Sequence, residues 1–366
     1  MQLTETVKLY LTTEQKSLIV NSMNEYIKTV NIIVADGVLG KEISKYTTAT
    51  FDAALPSAIK NQCIRDAKSI YRKYLKKKAQ NSKENKNTTI PVVRKACCYI
   101  NNQNYKIADG RIEFPMLING KSKRISVLTR ITQRQISILE NSKLGLMRIV
   151  YKGNKLVAQF SYEKQEKEET SSDNVMGVDL GIKCPAVSYI KGSGVKFYGN
   201  GRRNKYVRRY YRNLRRKLQK AKKISAVRKI NNKEQRWMRD EDHKISRGIV
   251  KNAIANKVKV IKLERLANIR STTRSSRKNN HSLHSWSFYR LSQYIEYKAK
   301  LAGIAVEYVN PAYTSQRCPV CGHIHHANDR KYTCKCGFKC HRDLVGAINI
   351  SNSPEYVGDS DIRHTA

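Results

Sequence analysis

Residues 175–181 read VMGVDLG, a short apolar run holding one carboxylate, Asp179, between Gly177 and Gly181. An aspartate inside a buried strand costs several kcal/mol unless it is paired, hydrogen-bonded or bound to a metal. The two glycines would let the backbone of a ligand approach it closely. A turn aspartate at a strand end is the ordinary alternative. Downstream, CPAVSYI (184–190) and, after a Gly-Ser-Gly turn, GVKFYGNG (194–201) complete three short strands with tight turns, which reads as an antiparallel meander. Residues 202–255 carry the spacing of one or two long helices, and VKVIKLE (258–264) is a second buried strand ending on Glu264. Residues 285–302 form an amphipathic helix with Leu291, Ile295 and Ala299 on one face. GIAVEYV (303–309) is a further strand, and HRDLVGAINI (341–350) a short helix.

Three strands, helix, strand, helix, strand, helix is the connectivity of an RNase H-like α/β fold. Residues 1–170 are organised differently. KLYL opens on a strand, residues 13–35 and 53–80 have helical apolar spacing, QNSKENKNTT (80–89) is a polar loop, and 90–163 read as short strands such as KLVAQFSY. The charged, aperiodic EKQEKEETSSDN (163–174) is the expected domain boundary. With 366 residues the chain suits two or three domains.

Taken singly, the remaining carboxylates have plain readings: Glu264 pairing with Arg265 or Lys262, Asp343 capping a helix. Taken together they do not. The fold places the strands of Asp179 and Glu264 side by side, and the helix opened by Asp343 over the same edge. Three carboxylates in one place repel strongly unless cations are present. Hard oxygen ligands select Mg²⁺ or Mn²⁺. Two such ions about 4 Å apart stabilise the attacking and leaving oxygens of a phosphodiester, which is nuclease chemistry.

Composition agrees. Lys and Arg number 71 against 29 acids, a formal net charge of +42 that solubility does not require and a polyanionic partner explains. No apolar run approaches the length of a spanning helix. MQLTETVKLYL at the start has no basic region before its apolar stretch and is not read as a signal peptide, so a reducing, cytoplasmic setting is expected. Residues 201–230 carry 14 Lys or Arg and no acid, with Tyr206, Tyr210 and Tyr211 interleaved. Along a helix, Arg202, Arg203, Arg208, Arg209, Arg212, Arg215, Arg216, Lys217 and Lys220 would form a stripe for phosphates with rings for stacking. RSTTRSSRKNNHS (270–282) reads as a flexible basic lid, and His243 as a structural residue in a helix facing the sheet.

Of nine cysteines, Cys63, Cys97, Cys98 and Cys184 are scattered and read as small apolar residues, and five fall between 318 and 340. Cys318-x-x-Cys321-Gly and Cys334-x-Cys336-Gly, twelve residues apart, point to a zinc ribbon. The second pair is C-x-C, which leaves the fourth ligand open between Cys336, Cys340 and His341. Cys336 is preferred because Cys336-Gly337 copies Cys321-Gly322.

GVDLG, RDEDHKISRGIV (239–250), IKLERLANIR (261–270), WSFYRLSQYIEYKAKLAGIAVEYVNPAYTSQRCPVCG (286–322) and YTCKCGFKCHRDLVGAINI (332–350) together resemble the TnpB (OrfB) family. These blocks cover about half the chain. The resemblance implies a RuvC-like nuclease domain over 171–316 and 341–352, a zinc ribbon at 317–340 and a C-terminal tail at 353–366. It also implies an N-terminal β-barrel wedge over 1–170 with a helical recognition insert at about 13–80. Asp179, Glu264 and Asp343 match the three acidic positions. The implied activity is a transposon-encoded, prokaryotic, RNA-guided DNA endonuclease, cutting double-stranded DNA beside a short motif under a guide RNA from the transposon end. Guidance is implied by the resemblance, not by composition or spacing. Alternatives are a catalytically idle RNA-guided DNA-binding regulator, which should have lost a carboxylate, and a compact CRISPR effector. A transposase proper lacks its usual constellation here, and a non-catalytic zinc-ribbon protein would leave Asp179 unexplained.

Overall fold

The computed structural model describes residues 1–168, 171–230, 232–266, 286–327 and 330–354. The chain separates into two compact units, Met1–Lys164 and Gln165–Ala366.

In the first unit, strand β1 (Gln2–Tyr10) leads into helix α1 (Thr13–Val38). A capping box fixes its start: the Thr12 hydroxyl accepts from Gln15 N at 3.2 Å, and the Gln15 side chain accepts from Thr12 N at 3.3 Å. Ile19, Met23, Tyr26, Val30 and Ile33 recur at helical spacing and are buried, the face that packs on α2 (Ser57–Lys83). Then come β2 (Cys97–Ile100), β3 (Lys106–Ala108), β4 (Arg111–Ile118), β5 (Lys121–Thr129), α3 (Gln133–Glu140), β6 (Leu144–Lys152) and β7 (Lys155–Glu163). The strands form one antiparallel sheet in the order β2-β6-β7-β1-β5-β4-β3. Its order is open, with β2 and β3 at the ends, so the barrel expected here is half-formed. Helix α2 runs into the polar stretch read as a loop, and α3 falls where only strands were expected. It has eight residues with Leu139 alone buried, too little for a period to show.

The second unit begins with β8 (Asn174–Asp179), β9 (Ala186–Ile190) and β10 (Gly194–Tyr198). Helices α4 (Gly201–Lys220), α5 (Ile224–Ile230) and α6 (Lys233–Ala255) follow, three where one or two were expected. The break after α4 turns on Lys222 at φ 55, a left-handed residue that no glycine announces. Next are β11 (Val258–Glu264), α7 (Phe288–Leu301), β12 (Ala305–Val309), the hairpin β13 (Lys331–Thr333) and β14 (Lys339–His341), and α8 (Arg342–Asn352). The main sheet has the order β10-β9-β8-β11-β12, antiparallel from β10 to β8 and parallel from β8 through β11 to β12.

Side chains alternate across a strand. Met176 and Val178 join the apolar core made with Ile245 and Ile249 of α6 and Leu291 and Ile295 of α7. Gly177 and Asp179 therefore share the other face, where α8 lies. Asp179 is the last residue of β8 rather than its middle. The glycines beside it serve close packing of the chain on itself. A Cβ on Gly177 would stand 2.1 Å from Ala347 O and 2.5 Å from Ser351 N of α8, and one on Gly181 would stand 2.7 Å from Cys184 O.

Backbone atoms of a helix cannot give way as a flexible side chain can. Gly177→Ala should therefore destabilise the protein by about 1–3 kcal/mol, lowering its thermal midpoint by roughly 2–4 °C for each of those. A melt within a degree of wild type would show that α8 does not rest directly on β8.

Candidate metal centre

The register of the parallel pair decides where the carboxylates go. Lys262 stands beside Gly177 and Leu263 beside Val178, so Glu264 reaches the level of Asp179 on the same face. Helix α8 supplies the third group in its first turn. Its Gly346 faces Asp179, and a Cβ there would meet the Asp179 carboxyl carbon at 3.2 Å. Asp179, Glu264 and Asp343, from three separate elements, are thus brought together. Glu264 and Asp343 are buried, 9% and 6% exposed. Asp179 keeps part of its surface exposed, but its carboxyl is hemmed in, and burial followed by the charges of Glu264 and Asp343 pushes it well above the usual carboxylate range. Arg330 and Arg342 pull the other way. Burial raises Glu264 too, opposed by a hydrogen bond from the Thr314 hydroxyl to Oε1.

Asp343 is held from one side. Arg330 donates to its Oδ1, while Oδ2 is buried with no hydrogen-bond partner among the described residues. His341 caps α8 by accepting from Asp343 N on Nδ1 at 3.2 Å, so that nitrogen has no proton to offer Oδ2. A buried carboxylate oxygen without a hydrogen-bond partner beside two further carboxylates is the kind of donor a hard divalent cation takes, while among the described residues the group whose ligand atoms all lie within 4.8 Å of one another is that of the four cysteines. Sequence reasoning missed Arg330, Thr314 and Asn349. The Asn349 side-chain amide donates to Thr314 O and Arg317 O, both at 2.7 Å. No spacing in the sequence marks these three.

The thiols of Cys318, Cys321, Cys334 and Cys336 lie within 4.8 Å of one another. Cys318 and Cys336 sulfurs are 3.7 Å apart, and Cys321 and Cys334 sulfurs 3.4 Å. A tetrahedral ion with bonds of about 2.3 Å asks for sulfurs about 3.8 Å apart. The two knuckles are built alike. Gly322 and Gly337 sit at φ 73 and 90, and each returns its N–H to the carbonyl of the first cysteine, at 2.9 and 3.0 Å. Cys340 lies outside the group, its thiol donating to His341 O at 3.3 Å.

On α4 the basic residues divide. Arg202, Arg203, Arg209, Arg212, Arg216, Lys217 and Lys220 are exposed. Arg215 turns inward to Glu234 of α6 at 2.7 Å, and burial lowers the pKa of Arg208 beside it, so these two serve packing between helices. Tyr206 and Tyr210, 58% and 50% exposed, stack with centroids 6.5 Å apart among the free cations. His243 stacks on Tyr294 at 4.0 Å, so it faces α7 and not the sheet. The proposed lid at 270–282 lies outside the described residues. No described helix is long and apolar enough to cross a membrane.

A family model described as a probable transposase, of the OrfB type, matches residues 159–270, and one described as the Cas12f1-like TNB domain matches residues 288–350. The chain is 29% identical over 258 residues to a TnpB-like protein of Methanocaldococcus jannaschii, covering 66% of this chain and 91% of that one. It is 30% identical over 217 residues to the CRISPR-associated endodeoxyribonuclease Cas12f1 of Sulfoacidibacillus thermotolerans, 54% of this chain but half the length of that protein. Its fold is similar to that of Cas12f1 in a complex with sgRNA and target DNA, with a TM-score of 0.65 at 16% identity over 92% of this chain and 81% of that one. One matched segment carries Asp179 and Glu264, the other carries the four cysteines and Asp343, and a TnpB-like protein is matched over nearly its full length: the chain is similar to the TnpB family.

Proposed function

We propose that this protein is a transposon-encoded, RNA-guided endonuclease that cuts double-stranded DNA beside a short motif. The reading is carried by one observation, the convergence of Asp179, Glu264 and Asp343 in a buried corner with an orphaned carboxylate oxygen. It is supported by a relative named as an endodeoxyribonuclease and by a similar fold captured with guide RNA and target DNA. In this reading 171–316 and 341–352 form an RNase H-like, RuvC-like nuclease domain, 317–340 a zinc ribbon, and 1–170 a wedge with its recognition helices.

Asp179, Glu264 and Asp343 would hold Mg²⁺ or Mn²⁺, which supplies charge stabilisation to the attacking and leaving oxygens of the phosphodiester. The chain does the positioning. Arg330 restrains Asp343 through Oδ1 and leaves Oδ2 for the metal. The exposed cations of α4 hold phosphates, and Tyr206 and Tyr210 offer ring faces to bases.

Asp179→Ala should lower plasmid cleavage in Mg²⁺ by on the order of a thousandfold or more, with guide-RNA and target binding kept. Adding Glu264→Ala should cost little further, because groups that act as a unit are not additive. Near-wild-type nicking by Asp179→Ala would end the assignment.

Replacing Arg209, Arg212, Arg216 and Lys220 by Gln should weaken nucleic-acid binding and flatten its salt dependence, by about 0.9 in slope for each duplex phosphate no longer neutralised. Replacing the inward Arg208 and Arg215 should leave that slope alone. Equal slopes in all variants would return α4 to an ordinary solvated face.

The four-thiol group should hold one Zn²⁺ per chain. A ribbon of this size has too small a core to fold without metal, so Cys318→Ser should lose zinc and most cleavage while Cys340→Ser keeps both. Active protein free of zinc by elemental analysis would refute the ribbon.

A further inference from the structure

We propose that Thr314 is the positioning residue of the second carboxylate: its hydroxyl holds Glu264 by Oε1 and so presents Oε2 as the one oxygen available to a divalent cation. This rests on the reading of Glu264 as a metal ligand. A carboxylate at the end of a strand can turn about its last bond and offer a cation either oxygen or both. Glu264 is the final residue of β11, and among the described residues Thr314 is the donor to its side chain. The interaction is buried, with Thr314 6% exposed, and lies on the stem between β12 and the first cysteine pair.

Thr314 is itself held. Tyr313 before it adopts a left-handed φ of 60, and Gln316 N and Arg317 N both donate to Tyr313 O at 2.9 Å, closing a turn that directs residue 314 inward. The Thr314 carbonyl accepts from Asn349 of α8, the helix that carries Asp343. Glu264, Thr314, Asn349 and α8 therefore form a continuous bridge between the second and third carboxylates. A threonine suits the position. Its branched β-carbon limits rotation at χ1, and its neutral hydroxyl steadies the carboxylate without cancelling the charge a cation needs. The other acceptor in reach, Pro311 O at 3.3 Å, is the weaker one. Hydrogen-bond partners of metal ligands typically contribute about 10–100-fold to metal affinity.

The test measures Mn²⁺ binding by electron paramagnetic resonance of the free ion, on the full chain freed of nucleic acid. Thr314→Val should weaken Mn²⁺ binding by about 10–100-fold, and Thr314→Ser, which keeps the hydroxyl, should stay within about threefold of wild type. Two results would overturn the proposal: Thr314→Val binding as wild type does, or Thr314→Ser binding as weakly as Thr314→Val, which would make the methyl packing the cause. Glu264→Gln separates this from the underlying reading. If it binds weakly while Thr314→Val is normal, only the role of Thr314 falls. If Glu264→Gln binds normally, Glu264 is not a ligand and both fall.

Discussion

Asp179, Glu264 and Asp343 repel one another across a corner from which most water is excluded, and nearly every local feature of the second unit answers that repulsion. Low dielectric strengthens like-charge repulsion and removes the hydration that would offset it. The chain answers with a guanidinium on Asp343, a hydroxyl on Glu264 and the positive end of α8 beneath Asp343. These remedies are partial. Asp179 is still pushed upward, and Asp343 Oδ2 has no donor among the described residues. A structure that needed only its own stability would replace such a cluster with apolar side chains. One that must capture a divalent cation has to keep the charge and aim it.

Aiming depends on backbone more than on side chains. Because Lys262 aligns with Gly177, Glu264 lies level with Asp179; a shift of one residue would turn it to the opposite face. Because residues 177 and 346 are glycines, α8 reaches the sheet closely enough for Asp343 to join the pair. Gly177 of the GVDLG run thus makes room for the helix that brings Asp343, and Gly181 for the chain at Cys184, where the sequence suggested room for a ligand.

Much of this was legible. The apolar runs at 175–181 and 258–264 read as buried strands, and the paired cysteines with their glycines as knuckles. What escaped has physical reasons. The break between α4 and α5 rests on a lysine in a glycine-like conformation. The inward turn of Arg208 and Arg215 was recoverable: they lie seven residues apart, two helical turns, beside Val207, Tyr211, Leu214 and Leu218 on the face toward α6. Reading the nine named cations as one stripe overlooked that apolar seam. Arg330, Thr314 and Asn349 escaped because a hydrogen-bond partner has no spacing rule. Their roles follow from tertiary contacts alone.

Those same contacts change what the ribbon is for. The chain enters it through Thr314, which holds Glu264, carries Arg330, which holds Asp343, between the two cysteine pairs, and leaves through β14, which runs directly into α8. Asn349 of α8 grips the incoming stem at Thr314 O and Arg317 O, and Arg342 N at the start of α8 donates to Arg330 O at 2.7 Å, at the foot of the β13–β14 hairpin. The four-thiol group ties the segment that follows Thr314 to the hairpin that follows Arg330. A bound ion there would contribute folding energy outright, and that energy would bear on two of the three carboxylates without the ion touching either. The position of the cysteines in the chain, between β12 and α8 and immediately before the last carboxylate, then puts one end of that segment beside Glu264 and the other beside Asp343.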